Sequence, residues 1–261
     1  TSPFAFTGNK FEFRTVGSSQ SVAGPLIVLN TIMADSLDYI ATKLEAAGAK
    51  TPEEIGAALQ GVIRKIMKDH GRVIFNGDNY SPAWHEEAAA RGLPYAPYAA
   101  AAIPAAQTLA NSEVLARFNV LSPREFASRN EIYLEKYIKE VMIEARLTFE
   151  IAKTMIFPAT VTYQKLLAET SLMLKQMGKE HCTTVLDEVC ELAAQLQTRI
   201  ATLRTAIAHE AKGDIPAHAR FCREHIVPAM DAVRAVADQL ENIVADEHWP
   251  LPTYQEMLFI K

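Results

Sequence analysis

Ser122–Pro158, SPREFASRNEIYLEKYIKEVMIEARLTFEIAKTMIFP, opens with a helix start written in side chains. A hydroxyl sits at the cap, proline follows at the first helical position, and Glu125 is three residues on, placed to return a bond to the cap's own amide. Behind it Leu134, Ile138, Val141, Ala145, Phe149, Ala152 and Ile156 recur at steps of three and four, the spacing that lays one apolar stripe along a helix. The pattern predicts one long helix, ending or kinking at Pro158, where the backbone N–H is missing and the ring crowds the preceding turn.

Downstream the same period repeats. Tyr163 to Met177 reads as a further helix. Val185, Val189, Leu192, Leu196, Ile200, Leu203 and Ile207 form a second stripe that runs to a turn at Gly213-Asp214, and Ile226, Met230, Val233, Ala237, Leu240 and Val244 form a third. Helices joined by so short a turn pack antiparallel. The tail from Trp249 to Lys261, with two prolines and several large apolar side chains, is expected to pack against another surface.

Upstream, Leu26, Leu29, Ile32, Met33, Leu37 and Ile40 mark a helix beginning at Pro25 and stopping near Gly48. Thr51-Pro52-Glu53-Glu54 repeats the capping logic for a helix whose buried face is Ile55, Leu59, Val62, Ile63 and Ile66. Asn76-Gly77-Asp78-Asn79 is a turn, Ser81-Pro82 starts a short helix carrying Trp84, and the prolines of Gly92 to Ala106 predict a connector with little regular structure. The first twenty residues differ from the rest. Phe11, Phe13 and Val16 alternate incompletely with Glu12, Arg14 and Thr15, which predicts a strand, and Gly17-Ser18-Ser19-Gln20-Ser21 reads as a loop. The expected fold is mainly α: a bundle of long antiparallel helices preceded by a short β-strand, with a domain of residues 1–105 followed by one of 106–261.

Composition narrows the function. With 261 residues, 49% of them hydrophobic, the chain can bury a sizeable core. A net charge of -5 with both signs interspersed offers no basic face, which excludes nucleic acid as a partner. No apolar run reaches the ~18 residues of a membrane span, and no basic segment followed by an apolar core opens the chain. Cys182, Cys190 and Cys222 are odd in number and lack paired metal-ligand spacing, as suits core thiols in a reducing cytoplasm. Beginning at Thr1 without methionine, the chain reads as a segment of something longer.

The densest polar constellation is Asn9-Lys10-Phe11-Glu12-Phe13-Arg14. Residues two apart on a strand share a face, so Lys10, Glu12 and Arg14 make a ledge of plus, minus, plus while Phe11 and Phe13 take the other side. A carboxylate between two cations keeps its charge and can bind a hard divalent ion, and the cations can hold phosphate or carboxylate oxygens. The same alternation also describes a solvated, locally ion-paired face. Other clusters carry less. His181, Cys182, Asp187 and Cys190 lack close metal-binding spacing, His209, His218 and His225 could converge at a helix hairpin or serve as surface caps, Glu140, Glu144 and Arg146 suit a solvated helix face, and Asp78 and Asn79 are explained by their turn.

The segment Thr1-Ser2-Pro3-Phe4-Ala5-Phe6-Thr7-Gly8-Asn9-Lys10-Phe11-Glu12-Phe13-Arg14, with Val16-Gly17-Ser18-Ser19-Gln20-Ser21 after it, closely resembles the corresponding part of type III glutamine synthetases. Ile74 to Ser81, Pro252 to Phe259 and the long helical C-terminal region resemble that family too. The short strand would then be a remnant of an α+β glutamine synthetase catalytic domain. The resemblance implies that Glu12 is a metal ligand near the ATP phosphates and that Arg14 is catalytic, touching the transferring phosphoryl group. Lys10 would be on the nucleotide side, where better-known members have an arginine. It further implies ATP and Mg2+ or Mn2+, glutamate and ammonia as substrates, a γ-glutamyl phosphate intermediate, and a ring-based homo-oligomer, a dodecamer. The family's other metal carboxylates, its ligand histidine and its ammonia-site acid would lie upstream of Thr1, leaving this segment catalytically silent alone. A second reading makes the chain a non-catalytic helical oligomerisation module.

Overall fold

A computed structural model describes residues 4–6, 11–13, 21–78, 81–209 and 214–258. The chain divides into two compact units, Thr1–Tyr98 with Ala105–Ser128, and Ala99–Pro104 with Arg129–Lys261.

The first unit opens with strands β1, Phe4–Phe6, and β2, Phe11–Phe13, paired antiparallel so that Phe4 meets Phe13, Ala5 meets Glu12 and Phe6 meets Phe11. Helix α1, Ala23–Ala47, ends at Gly48, whose φ of 64° is a left-handed conformation natural to glycine and whose N–H donates to the Glu45 carbonyl. Helix α2, Pro52–His70, begins with the predicted capping box. Thr51 Oγ1 accepts from the Glu54 N–H at 3.2 Å, and the Glu54 carboxylate accepts the Thr51 N–H at 3.1 Å. After a single 3-10 turn at Gly71–Val73 come α3, Pro82–Ala90, and α5, Leu109–Arg117. α1 packs on α2 and on α5, where Arg117 pairs with Asp35. The apolar faces of α1 and α2 are not buried as their periodicity predicts. Leu26, Ile32, Met33 and Leu37 are exposed on α1, and Ile55, Leu59, Ile63 and Met67 on α2. Among the described residues of this unit, only Thr31 and Leu115 are buried.

The second unit is the helical bundle. Its first rod comprises α6, Pro123–Ile151, a π-helical turn at Ala152–Ile156, and α7, Phe157–Gln176. α8, Thr184–Ala208, follows. The third rod is α9, Ile215–Phe221, a second π turn at Cys222–Ile226, and α10, Val227–Glu241. α8 packs against both α7 and α10. All three predicted stripes supply the core. Leu134, Val141, Ala145 and Ile156 share one core with Leu192, Leu196 and Leu203 from α8 and Val233, Ala237 and Leu240 from α10. Burying a leucine or isoleucine of this kind contributes about 1.5–3 kcal/mol each, so the bundle is where the chain's stability concentrates. Within the stripes Val185 is exposed and Phe149, Ile207 and Met230 are half-buried.

Three expectations need correction. The first rod does not end at Pro158, because the turn before it is widened. The Phe157 N–H reaches back five residues to the Ala152 carbonyl, and the Val227 N–H likewise reaches Cys222 ahead of Pro228. A proline ring clashes with the carbonyl four residues earlier, and a π turn moves that carbonyl aside, so the helix continues. Thr160, fully buried, adds a bond from its hydroxyl to the Ile156 carbonyl at 2.9 Å. The supposed connector contains a helix, α4, Ala99–Ala106, with Pro104 inside it. Alanine has the highest helix propensity, and Ala100 is buried against the bundle core, which together outweigh one lost hydrogen bond. The cysteines are not uniformly core thiols: Cys222 is buried, Cys190 half-buried and Cys182 exposed in the link before α8. In the tail, Trp249 and Leu251 pack on the core, while Met257 and Leu258 of α11, Tyr254–Leu258, are exposed. The predicted turn residue Gly213 and Phe259 lie outside the described residues.

Candidate active-site strand

Glu12 is the middle residue of β2, and its register partner is Ala5. The four phenylalanines of the hairpin occupy the alternate register positions, pairing at both ends of the ladder, so Glu12 and Ala5 have the opposite phase of the pleat. β1 is absent from the sequence reading, although Phe4-Ala5-Phe6 ahead of Gly8 carries the alternation that signals it. Lys10, Arg14 and the loop residues Gly17–Gln20 lie outside the described residues. Beyond that loop Ser21 Oγ accepts the Ala23 N–H at 3.2 Å as α1 begins.

The turn at Asn76-Gly77-Asp78 is held from several sides. Phe75 stacks on Trp84 with ring centroids 4.2 Å apart. Gly77 is required by this stack, since a Cβ there would lie 2.7 Å from the Phe75 ring. Arg91, just past α3, donates from Nη1 to the carbonyls of Arg72 at 3.0 Å and Ile74 at 2.8 Å, pairs with Glu87, and stands over the Trp84 ring. Ser81 donates from both its N–H and its hydroxyl to the Asp78 carbonyl, at 3.2 and 2.8 Å. Asp78 therefore anchors the turn through its main chain, and Asn79 lies outside the described residues. The sequence reading missed Arg91; its only signal is Glu87 four residues earlier on the same helix face.

The remaining candidates separate. His209 stacks on Phe221 at 4.4 Å, and Phe221 also meets His225 at 4.8 Å, so two of the three histidines converge on one ring; His218 is half-buried on α9. Cys182 Sγ lies 3.1 Å from Thr184 Oγ1, a bond that draws its thiol pKa below the ordinary value. Among the described residues no three His, Cys, Asp or Glu side chains are grouped to hold a metal ion, and no helix is long and apolar enough to cross a membrane. Lys136 pairs with Glu140 on α6, an ordinary helix-face pair.

Residues 58–175 match the profile of the glutamine synthetase C-terminal domain. The whole chain aligns with a type-3 glutamine synthetase from Dictyostelium discoideum at 37% identity over 277 residues, covering 36% of that protein. It aligns with a glutamine synthetase from Bacteroides fragilis (strain YCH46) at 34% over 274 residues, all of this chain and 37% of that protein. A glutamine synthetase from Butyrivibrio fibrisolvens is 29% identical over 264 residues. The chain thus spans little more than a third of the length of these relatives.

Proposed function

Since the chain belongs to the glutamine synthetase family, as the C-terminal part of a type III member, we propose that it contributes one edge of an ATP-dependent glutamate-ammonia ligase site. The observation that carries this reading is Glu12 at the centre of a paired strand, within a chain related along its entire length to a type-3 enzyme. A single carboxylate on a hydrogen-bonded ladder suits one oxygen ligand of a hard divalent ion, Mg2+ or Mn2+, and the described residues hold no second cluster to complete the site. When bound, such an ion neutralises charge on the phosphoryl group moving from ATP to the glutamate side chain. Arg14 would contact that phosphoryl group, making γ-glutamyl phosphate a better target for ammonia, and Lys10 would lie toward the nucleotide, as a point charge without arginine's bidentate fork. The remaining ligands would come from other parts of the protein, so the 261-residue segment alone is inactive. The working enzyme is a cytoplasmic, ring-based homo-oligomer, a dodecamer. The exposed apolar faces of α1 and α2 support this reading, because a catalytic-domain edge leaves such faces for the rest of the domain to cover.

In the full-length protein, Glu12→Ala is expected to lower glutamine formation at least about 100-fold at saturating metal. Undiminished activity would remove Glu12 from the metal site. The second reading, an assembly module, rests on the exposed apolar residues of the bundle surface, Ile132, Ile143 and Leu147 on α6 and Leu172, Met173 and Met177 near the end of α7. Sedimentation of the 261-residue chain tests it, and a clean monomer counts against a self-sufficient oligomerisation unit.

A further inference from the structure

The first π turn does more than carry the helix past Pro158. In an uninterrupted α-helix Phe149 and Phe157 would sit about 80° apart around the axis; the extra residue of the π turn brings them to within about 20°, with Lys153 between them. This row faces Gln197, Ile200 and Arg204 on α8, and the two helices enclose a cleft of about 370 Å³, within the range of small-molecule sites.

Its two cations differ from the paired ones of the bundle. Lys136, Lys139, Lys165 and Arg234 each have a carboxylate one turn away on their own helix and pair with it. One turn either side of Lys153 are Phe149 and Phe157, and one turn either side of Arg204 are Ile200 and Ala208. Glu150, three residues before Lys153, forms no ion pair with it, and neither cation is paired among the described residues. Lys153 Nζ instead stands 5.5 Å from the centre of the Phe149 ring. Two aromatic rings, an aliphatic floor and two unneutralised cations therefore share one cleft.

We propose that the cleft between the π turn Ala152–Ile156 and α8 binds a small molecule made of a planar ring carrying an anionic group. Its ring lies against Phe149, Phe157 and Ile200, and its anionic group is held by Lys153 and the Arg204 fork. Phosphate monoesters and aromatic carboxylates share this chemistry. The site is independent of the ligase reading, since none of its residues belongs to the strand that carries Glu12.

The test is ligand-observed NMR titration of the full-length protein with phenyl phosphate and with 2-naphthoate, set against inorganic phosphate and 2-naphthol. The ring-bearing anions are expected to bind saturably, and more tightly than the ringless or uncharged halves. K153Q and R204Q should each weaken binding about tenfold, as loss of a charge-assisted hydrogen bond does, with Glu12→Ala leaving it unchanged. Preference for phenyl phosphate assigns the phosphate-ester source, preference for 2-naphthoate the carboxylate source, and either supports the site. Both variants alter exposed side chains, and their melting temperatures should match the parent's. The proposal is overturned if neither ring-bearing anion saturates by millimolar concentration, if the K153Q/R204Q double variant binds as the parent does, or if inorganic phosphate binds as tightly as phenyl phosphate.

Discussion

The bundle and the N-terminal unit use the same sequence grammar with opposite results. In the bundle, leucines on the apolar stripes reach complete burial: Leu196, Leu203 and Leu240 are 0% exposed. In the first unit, α1 and α2 have stripes of similar spacing, yet Leu37 is 58% and Ile63 48% exposed, and the helices meet mainly one another. Periodicity names the face a helix wants to hide. It does not say whether the covering surface lies in the same stretch of chain.

The sharpest way to probe this contrast is a pair of truncations measured by urea unfolding. Leu203→Ala should destabilise the bundle by about 2–5 kcal/mol, since it opens a cavity among fully buried neighbours. Ile63→Ala in the 261-residue chain should stay within about 0.5 kcal/mol, as surface substitutions do. In the full-length protein the same change should rise to about 2 kcal/mol if the α2 face is covered there. Equal effects in both lengths would break the comparison, leaving α2 exposed by design. A smaller effect should be shared by the two units. Gly48 and Gly178 both have left-handed φ, 64° and 66°, with open space where a Cβ would go. Alanine at either should cost about 1 kcal/mol, from backbone strain alone. A much larger loss at one of them would reveal a contact at that helix end.

The smallest effect is a pH dependence confined to the first unit. The Glu54 carboxylate accepts the Lys50 N–H at 2.9 Å and the Thr51 N–H at 3.1 Å, and these bonds, the Lys50 one foremost, hold its pKa below the ordinary glutamate value. Its folded pKa is the lower one, so the stabilisation is present above the ordinary value and disappears as pH falls through the folded value. Proton titration by NMR should find Glu54 depressed in the parent and still depressed in Thr51→Ala, because both main-chain donors remain.

Much of this was legible beforehand. Capping boxes at Thr51 and Ser122, the left-handed stop at Gly48 and the three bundle stripes are local grammar, and each is present where the residues place it. Legibility failed where tertiary context overrides a local rule. Pro158 reads as a stop, but buried residues on both sides favour continuing the rod, and one widened turn reconciles the two. Ala99–Ala106 reads as a connector because proline punctuation was weighted above alanine propensity and the pull of a core on Ala100. Of the candidate site, the strand carrying Glu12 was readable from its alternation. Arg91, which ties together the Asn76–Asp78 turn through carbonyls 17 and 19 residues away, has no signature of that long reach.

The two widened turns also govern how the bundle can change over generations. Each shifts the phase of everything beyond it by roughly one residue's rotation, about 100°. Swapping one side chain for another on the outer surface of such a turn leaves the downstream helix facing the same way. Dropping a single codon at Lys153 would turn the widened turn into an ordinary one, leaving Thr160 and the rest of α7 facing as before but pressing the Pro158 ring onto the carbonyl four residues earlier. At these two places the extra residue and the proline after it can be lost together, but not the residue alone.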